Sequence, residues 1–182
     1  MITVCFHGAE STGKSVLAAR LAEELDCPWV AEYGRTYCEE RGTSLVMDDL
    51  LAIARGEQDA IDSARSTAPD LLILDTDQLM TAAWAQKLFG CVPDELMSYP
   101  RADLYFLFEA DVPWLDDGTR FFGEASERAE FAALAEHVLV SANVPFCRIG
   151  GTWEQRASTA RHMLDQVTSG NDPVISSPGT CR

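Results

Sequence analysis

Short apolar runs alternate along the chain with longer stretches in which apolar residues recur every three or four positions. The run at 2–6 precedes such a stretch at 15–25, where Leu17, Leu21 and Leu25 lie four residues apart, which predicts a strand followed by a helix. Four more runs predict strands at 28–31, 71–74, 104–108 and 144–149. The remaining stretches predict helices at about 34–41, 48–64, 81–89, 127–140 and 154–167.

This alternation is typical of consecutive βαβ units. It predicts an α/β fold with a five-stranded, mostly parallel sheet and helices on both faces. The pattern predicts a single domain at 1–168. The remaining residues, 169–182, are dense in Ser, Gly and Pro, which predicts a flexible C-terminal tail.

Charge and cysteine usage narrow the classes of partner. The chain of 182 residues carries 29 acidic and 14 basic residues, a formal net charge of −15. Such a field repels phosphate backbones and anionic lipid headgroups, so neither nucleic acid nor a membrane is an expected partner. Six cysteines without metal-like spacing, and first residues unlike a secretory signal, predict reduced thiols and a cytoplasmic location. Oligomeric state is not predicted.

The segment between the first predicted strand and helix matches the phosphate-binding Walker A motif, G-x-x-x-x-G-K-[ST], at every fixed position. Its glycines let backbone N–H groups approach phosphate, Lys14 adds positive charge near the β and γ phosphates, and Ser15 supplies an oxygen to Mg²⁺. The motif predicts a P-loop NTPase fold with ATP and Mg²⁺ as cofactors. The predicted ATP-binding residues are Gly8, Ala9, Glu10, Ser11, Thr12, Gly13, Lys14, Ser15 and Val16.

Two carboxylates follow the third predicted strand, at the edge of the sheet where parallel α/β folds bind ligands. Asp75 is the predicted metal ligand beside Ser15, because P-loop proteins hold Mg²⁺ with a carboxylate at the end of a buried strand. Asp77 admits two interpretations: it positions Mg²⁺ or a substrate hydroxyl, or it caps the helix that follows.

The segment Glu32-Tyr33-Gly34-Arg35 follows the second predicted strand. In a sheet that places the first three strands together, it would lie beside the transferred phosphate. There Glu32 can accept a proton from an attacking hydroxyl, and Arg35 can pair with Glu32 or with phosphate. An ordinary surface ion pair is the alternative.

The segment 111–123 is rich in Asp, Gly, Pro and aromatic residues, which predicts a functional loop or lid. Arg120 can stabilise charge that develops on the γ-phosphoryl group, and Trp114 can cover a base. A solvated loop with one buried tryptophan is the alternative.

Together these motifs resemble the ribosylnicotinamide kinase domain of NadR-type proteins, which are P-loop kinases. The matching pieces follow the family's order over about residues 2–167. They are Gly8 to Ser15, Glu32-Tyr33-Gly34-Arg35, Asp75-Thr76-Asp77, and Pro113-Trp114 with Asp117, Gly118 and Arg120. The resemblance implies transfer of the γ-phosphate of ATP to the 5′-hydroxyl of nicotinamide riboside, which yields nicotinamide mononucleotide for NAD biosynthesis.

The resemblance also implies roles by position. The implied catalytic residues are Lys14, Glu32, Asp77 and Arg120, with Arg120 serving the transition state and Glu32 or Asp77 the ribose hydroxyls. The implied substrate-binding residues are Glu32, Tyr33, Arg35, Asp77, Trp114 and Asp117, and Ser15 and Asp75 are the metal ligands. NadR-type proteins often carry an adenylyltransferase domain, and sometimes a DNA-binding domain, ahead of the kinase. Because the phosphate loop here begins at Gly8, neither activity is expected of this chain.

Three alternatives share the phosphate loop. One is a kinase for another nucleoside, a deoxynucleoside or a nucleoside monophosphate, although a monophosphate acceptor needs basic residues near the second strand, where Arg35 and Arg41 lie. Another is a regulatory ATPase that couples hydrolysis to partner binding, which usually needs more chain than 182 residues. The last is a nucleotide-binding protein without turnover.

Overall fold

The apolar runs of the sequence form five strands in the computed structural model, which describes residues 1–113 and 125–170. The strands are β1 (Ile2–Gly8), β2 (Trp29–Val30), β3 (Leu71–Asp75), β4 (Leu104–Phe108) and β5 (Phe146–Ile149). They form one sheet in the order β2-β3-β1-β4-β5, and each pairing is parallel. The predicted α/β fold with a five-stranded parallel sheet is therefore confirmed.

Helices cover both faces of this sheet, as predicted. They are α1 (Lys14–Glu24), α2 (Tyr33–Arg41), α3 (Met47–Arg65), α4 (Gln78–Phe89), α5 (Asp94–Ser98), α6 (Ala125–Ser141) and α7 (Trp153–Thr168). Apolar side chains of α3, α4 and α6 form a core against one face, and those of α1 and α7 form a second core against the other. None of the described helices has the length and apolarity needed to cross a bilayer.

The strand order places the ends of two strands beside the phosphate loop. β1 lies between β3 and β4, with Phe6 opposite Asp75 and Gly8 opposite Phe108. A Cβ atom at Gly8 would lie 2.6 Å from the backbone oxygen of Phe108, so only glycine fits where the chain leaves the sheet. The loop after β1 therefore begins next to the carboxyl ends of β3 and β4.

Helices α2 and α3 pack closely at Gly56, in the middle of α3. A Cβ atom at Gly56 would overlap the ring of Tyr33, the first residue of α2. Glycine in a helix interior costs about 0.5–1 kcal/mol of stability relative to alanine. Its presence here is explained by the Tyr33 ring, which occupies the position that a side chain would need. The packing also explains why α3 continues through a residue that disfavours helices.

Replacing Gly56 with alanine is expected to lower the free energy of unfolding by about 1 kcal/mol or more, although alanine favours helices. The matched control is Gly34→Ala in α2, where the added Cβ would lie 3.5 Å from Ile53 Cγ2, an ordinary contact distance. The control is expected to be neutral or slightly stabilising. Urea denaturation of both variants measures the difference, and equal stabilities would contradict the packing argument.

Candidate active site

The phosphate loop lies between β1 and α1, with several residues in backbone conformations that are rare for side-chain-bearing residues. Gly13 has a φ of 84° and Ser11 a φ of 60°. A Cβ atom at Gly13 would also overlap the ring of Trp153, the first residue of α7. Lys14 Nζ and Thr12 Oγ1 each donate to the backbone oxygen of Ala9 at 2.8 Å. The loop is therefore held in a compact turn by its own side chains.

Two buried arginines bind the carbonyl groups of the same loop. Arg128 of α6 donates to the backbone oxygens of Glu10 and Ser11 at 3.3 and 3.2 Å. Arg156 of α7 is 1% exposed and donates to the backbone oxygen of Thr12 at 3.4 Å. These bonds satisfy loop carbonyl groups and add positive charge beside a predicted phosphate site.

Asp75 lies at the end of β3, beside Ser15. Its carboxylate accepts hydrogen bonds from the Ser15 hydroxyl and the Glu32 backbone N–H, while burial raises its pKa. Its Oδ1 is buried without a hydrogen-bond partner in the described structure. A buried carboxylate oxygen without a donor, next to a hydroxyl, fits a divalent cation, because Mg²⁺ prefers oxygen ligands.

The donor set also fits Mg²⁺ rather than a metal held by protein ligands alone. Within residues 1–113 and 125–170, no three His, Cys, Asp or Glu residues are grouped as a metal cage would require. Mg²⁺ typically binds through one or two carboxylates together with substrate phosphates and water. Ser15 and Asp75 are therefore the residues that would hold it.

Glu32 and Arg35 lie at the start of α2 and both line the cavity described below. The Arg35 Nε atom lies 3.9 Å from a Glu32 carboxylate oxygen, so the predicted pair forms. Burial and the nearby Asp75 charge raise the pKa of Glu32, while Lys14 and Arg35 oppose that shift. A carboxylate in this environment can take up a proton from a hydroxyl more readily than a fully solvated one.

A cavity of about 420 Å³ extends from the phosphate loop to a chamber between α2, α3, α4 and α6. The loop residues Gly13, Lys14 and Ser15 form one end. Apolar side chains line the chamber, and these include Leu50, Ile53, Met80, Trp84 and Phe131. The rings of Trp84 and Phe131 lie 4.3 Å apart between centroids. The cavity thus joins a phosphate site to an aromatic chamber able to hold a flat ring.

Glu57 of α3 also lines the chamber, and the sequence interpretation did not single it out. It is 2% exposed, and its Oε2 accepts the Tyr33 backbone N–H at 2.9 Å. Burial raises its pKa to about 9. A signal was present: Glu57 occupies the buried stripe of α3 between Ile53 and Ile61, where an apolar residue is expected.

Asp77 lies apart from the other predicted site residues. Its Oδ1 accepts the Leu79 backbone N–H at 2.9 Å, which caps α4, and its Oδ2 accepts the Tyr105 hydroxyl at 2.5 Å. Thr76 has a φ of 77°, which breaks the alternation that would otherwise place Asp75 and Asp77 on the same face. Of the two interpretations of Asp77, the structure agrees with the helix cap.

The remaining predicted residues divide into three groups. Glu10, Ser11, Thr12 and Val16 line the cavity, whereas Ala9 is fully buried beneath the loop. Tyr33 contributes its backbone N–H to Glu57, and its side chain is 36% exposed. Trp114, Asp117 and Arg120 lie outside the described residues, so the predicted lid and its roles stay predictions.

The fold and the loop define a P-loop nucleotide-binding protein, and comparison with known proteins identifies the family. A family described as an AAA domain matches residues 3–156, most of the chain. The chain belongs to this family.

Curated relatives are similar over much of the same region. The trifunctional NAD biosynthesis/regulator protein NadR of Escherichia coli K12 is 34% identical over 154 residues, which cover 81% of this chain and 38% of NadR. NadR of Salmonella typhimurium is 32% identical over the same length, with the same shares. The chain is homologous to NadR but spans well under half of the length of these relatives.

Solved structures share the fold. A NadR protein in complex with NR has a TM-score of 0.73 at 24% identity, with 97% of this chain and 54% of that chain covered. Thymidylate kinase from Candida albicans has a TM-score of 0.65 at 16% identity, with 97% of each chain covered. Deoxyadenosine kinase from M. mycoides has a TM-score of 0.63 at 9% identity, covering 91% of this chain and 100% of that chain.

Proposed function

We propose that this protein is an ATP-dependent nucleoside kinase that phosphorylates nicotinamide riboside to nicotinamide mononucleotide in NAD salvage. The observation that carries the proposal is the continuous cavity from the phosphate loop to the aromatic chamber, because a kinase must hold a nucleotide and its acceptor together. Homology to NadR supports the placement in NAD metabolism. The NadR structure in complex with NR supports the choice of acceptor.

The chemistry follows from positioning and charge. Lys14 and the loop N–H groups bind the β and γ phosphates, and Lys14 exchanges its bond to the Ala9 carbonyl for phosphate oxygens. Mg²⁺, when bound at Ser15 and Asp75, neutralises charge on the β and γ phosphates. These groups stabilise the charge of the transferred phosphoryl group without forming a covalent intermediate.

Glu32 is the proposed general base. As the acceptor hydroxyl oxygen bonds to the γ-phosphorus, the bond to the bridging oxygen of ADP breaks and the hydroxyl proton passes to the Glu32 carboxylate. Arg35 lies close enough to hold that carboxylate in place. Arg120, in the predicted lid, is proposed to bind the phosphoryl oxygens in the transition state.

A kinase for another nucleoside or nucleotide is the second candidate, because the same fold occurs in deoxyadenosine kinase and thymidylate kinase. Among the described residues that line the cavity, Arg35 is the one basic side chain outside the phosphate loop. A nucleoside monophosphate carries about two negative charges, which favour a more basic pocket. This favours a nucleoside over a monophosphate as the acceptor.

The five cysteines of the described chain are free thiols, which supports the proposed cytoplasmic setting.

The proposal predicts ADP release from Mg-ATP that depends on nicotinamide riboside, with nicotinamide mononucleotide identified by mass spectrometry. The panel also includes deoxyadenosine, thymidine and thymidine monophosphate. Lys14→Ala is expected to lower turnover by about 100-fold or more. The chain has one other lysine, so Lys87→Ala, which removes a surface ion pair with Glu130 at 3.2 Å, is the matched control and should retain activity.

The outcomes of this assay distinguish the candidate functions. Turnover with a different acceptor alone would assign the second candidate. Hydrolysis that no acceptor changes would contradict a kinase and favour a regulatory ATPase. Nucleotide binding without turnover would contradict all of the enzymatic proposals.

A further inference from the structure

The chamber contains a buried acid that the proposed chemistry does not use. Glu57 lies in α3, and its Oε1 is buried without a hydrogen-bond partner in the described structure. Its other oxygen accepts a hydrogen bond from the Tyr33 backbone N–H. A buried carboxyl group that lacks a cationic partner is costly, so its presence in a cavity wall points to a ligand.

Other acids surround Glu57 and make its charged form still less favourable. Glu32 before α2, Asp77 before α4 and Asp75 at the end of β3 each raise its pKa, although burial is the largest cause and the Tyr33 N–H opposes the shift. The resulting pKa of about 9 means that Glu57 is neutral in the empty protein at physiological pH. This concentration of acids favours a positively charged ligand in the chamber.

Aromatic side chains form another part of the same chamber. Trp84 and Phe131 line it together, with their ring planes inclined at 37° to one another. The faces of aromatic rings attract cations, most strongly in sites from which water is excluded. A flat cationic ring is therefore complementary both to the aromatic wall and to Glu57.

We propose that Glu57 is the specificity-determining residue of the acceptor site and selects nucleosides with a positively charged ring over those with a neutral ring. The inference rests on the proposed function and deepens it, because the pyridinium ring of nicotinamide riboside carries a fixed positive charge. On binding, Glu57 gives its proton to the solvent and its carboxylate pairs with the ring. A neutral ring leaves Glu57 protonated and gains no such interaction.

The first test compares nicotinamide riboside with its uncharged 1,4-dihydro form as acceptors. The wild-type protein is expected to prefer the charged ring by about tenfold or more in kcat/KM. Glu57→Gln keeps the shape and the bond to Tyr33 but cannot ionise, so it should lose most of that preference. The loss should fall on KM rather than kcat, because Glu57 contacts the ring and not the reacting hydroxyl.

The matched control is Asp59→Asn, which removes the same charge from the exposed face of the same helix. It should keep the wild-type preference. A Glu57→Gln variant that also keeps this preference would overturn the inference while leaving the proposed function intact. Absence of turnover with nicotinamide riboside by the wild-type protein would overturn both, so the two failures can be distinguished.

Proton release gives an independent measurement on the wild-type protein. Calorimetric titration with nicotinamide riboside at pH 7.5, in two buffers of different ionisation enthalpy, should show release of about one proton. The 1,4-dihydro form should release none, and neither should nicotinamide riboside with Glu57→Gln. Equal proton release with both ligands would overturn the inference.

The Glu57→Gln variant is expected to fold. The pKa of Glu57 is about 9 in the folded protein, against an ordinary 4.5. Between these two pH values, the folded protein keeps a proton on Glu57 that the unfolded chain has released. Wild-type stability therefore falls as pH rises through this window. Glutamine has no proton to lose, so the variant should melt at the same temperature as the wild type or higher at pH 8.

Discussion

Asp75→Asn is expected to lower kcat by about 100-fold or more while leaving the free energy of unfolding unchanged or raised. Asparagine can still accept the hydrogen bonds from Ser15 and Glu32, so the end of β3 should keep its geometry. The substitution removes a buried carboxylate whose Oδ1 lacks a hydrogen-bond donor. It therefore relieves the cost of burying that charge in the folded protein without Mg²⁺. It also removes the charge that would attract Mg²⁺. Activity and stability should therefore change independently.

The control is Asp70→Asn, an exposed residue immediately before the start of the same strand. It makes the same change in charge, and both activity and stability should remain close to wild type. Steady-state kinetics over a range of Mg²⁺ concentrations and urea denaturation measure the two properties. Wild-type kcat for Asp75→Asn would place the metal elsewhere, and a parallel loss of stability would show that Asp75 is structural.

Arg156→Ala is expected to lower the free energy of unfolding by about 3 kcal/mol, because truncation leaves several buried acceptors without a donor. Besides Thr12, the guanidinium group donates to the backbone oxygens of Glu109, Ile149 and Gly151 at 3.0–3.3 Å. It also pairs with the carboxylate of Asp111. One side chain thus joins the ends of β4 and β5 to the phosphate loop.

Arg161→Ala provides the matched control from the same helix. Arg161 is 42% exposed and forms surface ion pairs with Glu24 and Asp165, so its loss should change stability by about 0.5 kcal/mol or less. Urea denaturation compares the two variants, and ATP affinity should fall only for Arg156→Ala. Similar stabilities for the two variants would contradict the role assigned to Arg156.

The strands were predictable because most are buried on both faces. Leu71–Asp75 and Leu104–Phe108 are buried at every residue, so their apolar runs have no competing interpretation. Helix starts were less predictable. α4 begins at Gln78 rather than Thr81, because Asp77 forms the helix cap, an interpretation that the sequence left open beside a role in the site. The short α5 was missed because five residues beside Pro93 carry no periodic signal.

The candidate site was predictable where a motif carried it and not elsewhere. The phosphate loop, Glu32 and Asp75 follow strand ends, so topology brings them together. Arg128 and Arg156 were missed because an arginine in a helix usually faces solvent, and only tertiary contacts show that these two are buried. Glu57 was missed although the sequence carried a signal, its position between Ile53 and Ile61 on the apolar stripe of α3.

The arginines that hold the phosphate loop also affect when it can form during folding. The loop lies within the first 15 residues, yet the backbone oxygens of Ser11 and Glu10 find their donor 117 and 118 residues later. The oxygen of Thr12 finds its donor 144 residues later, in the last helix of the described chain. Contacts of such sequence separation are slow to close. The phosphate loop therefore cannot complete these hydrogen bonds until α6 and α7 have packed against the sheet.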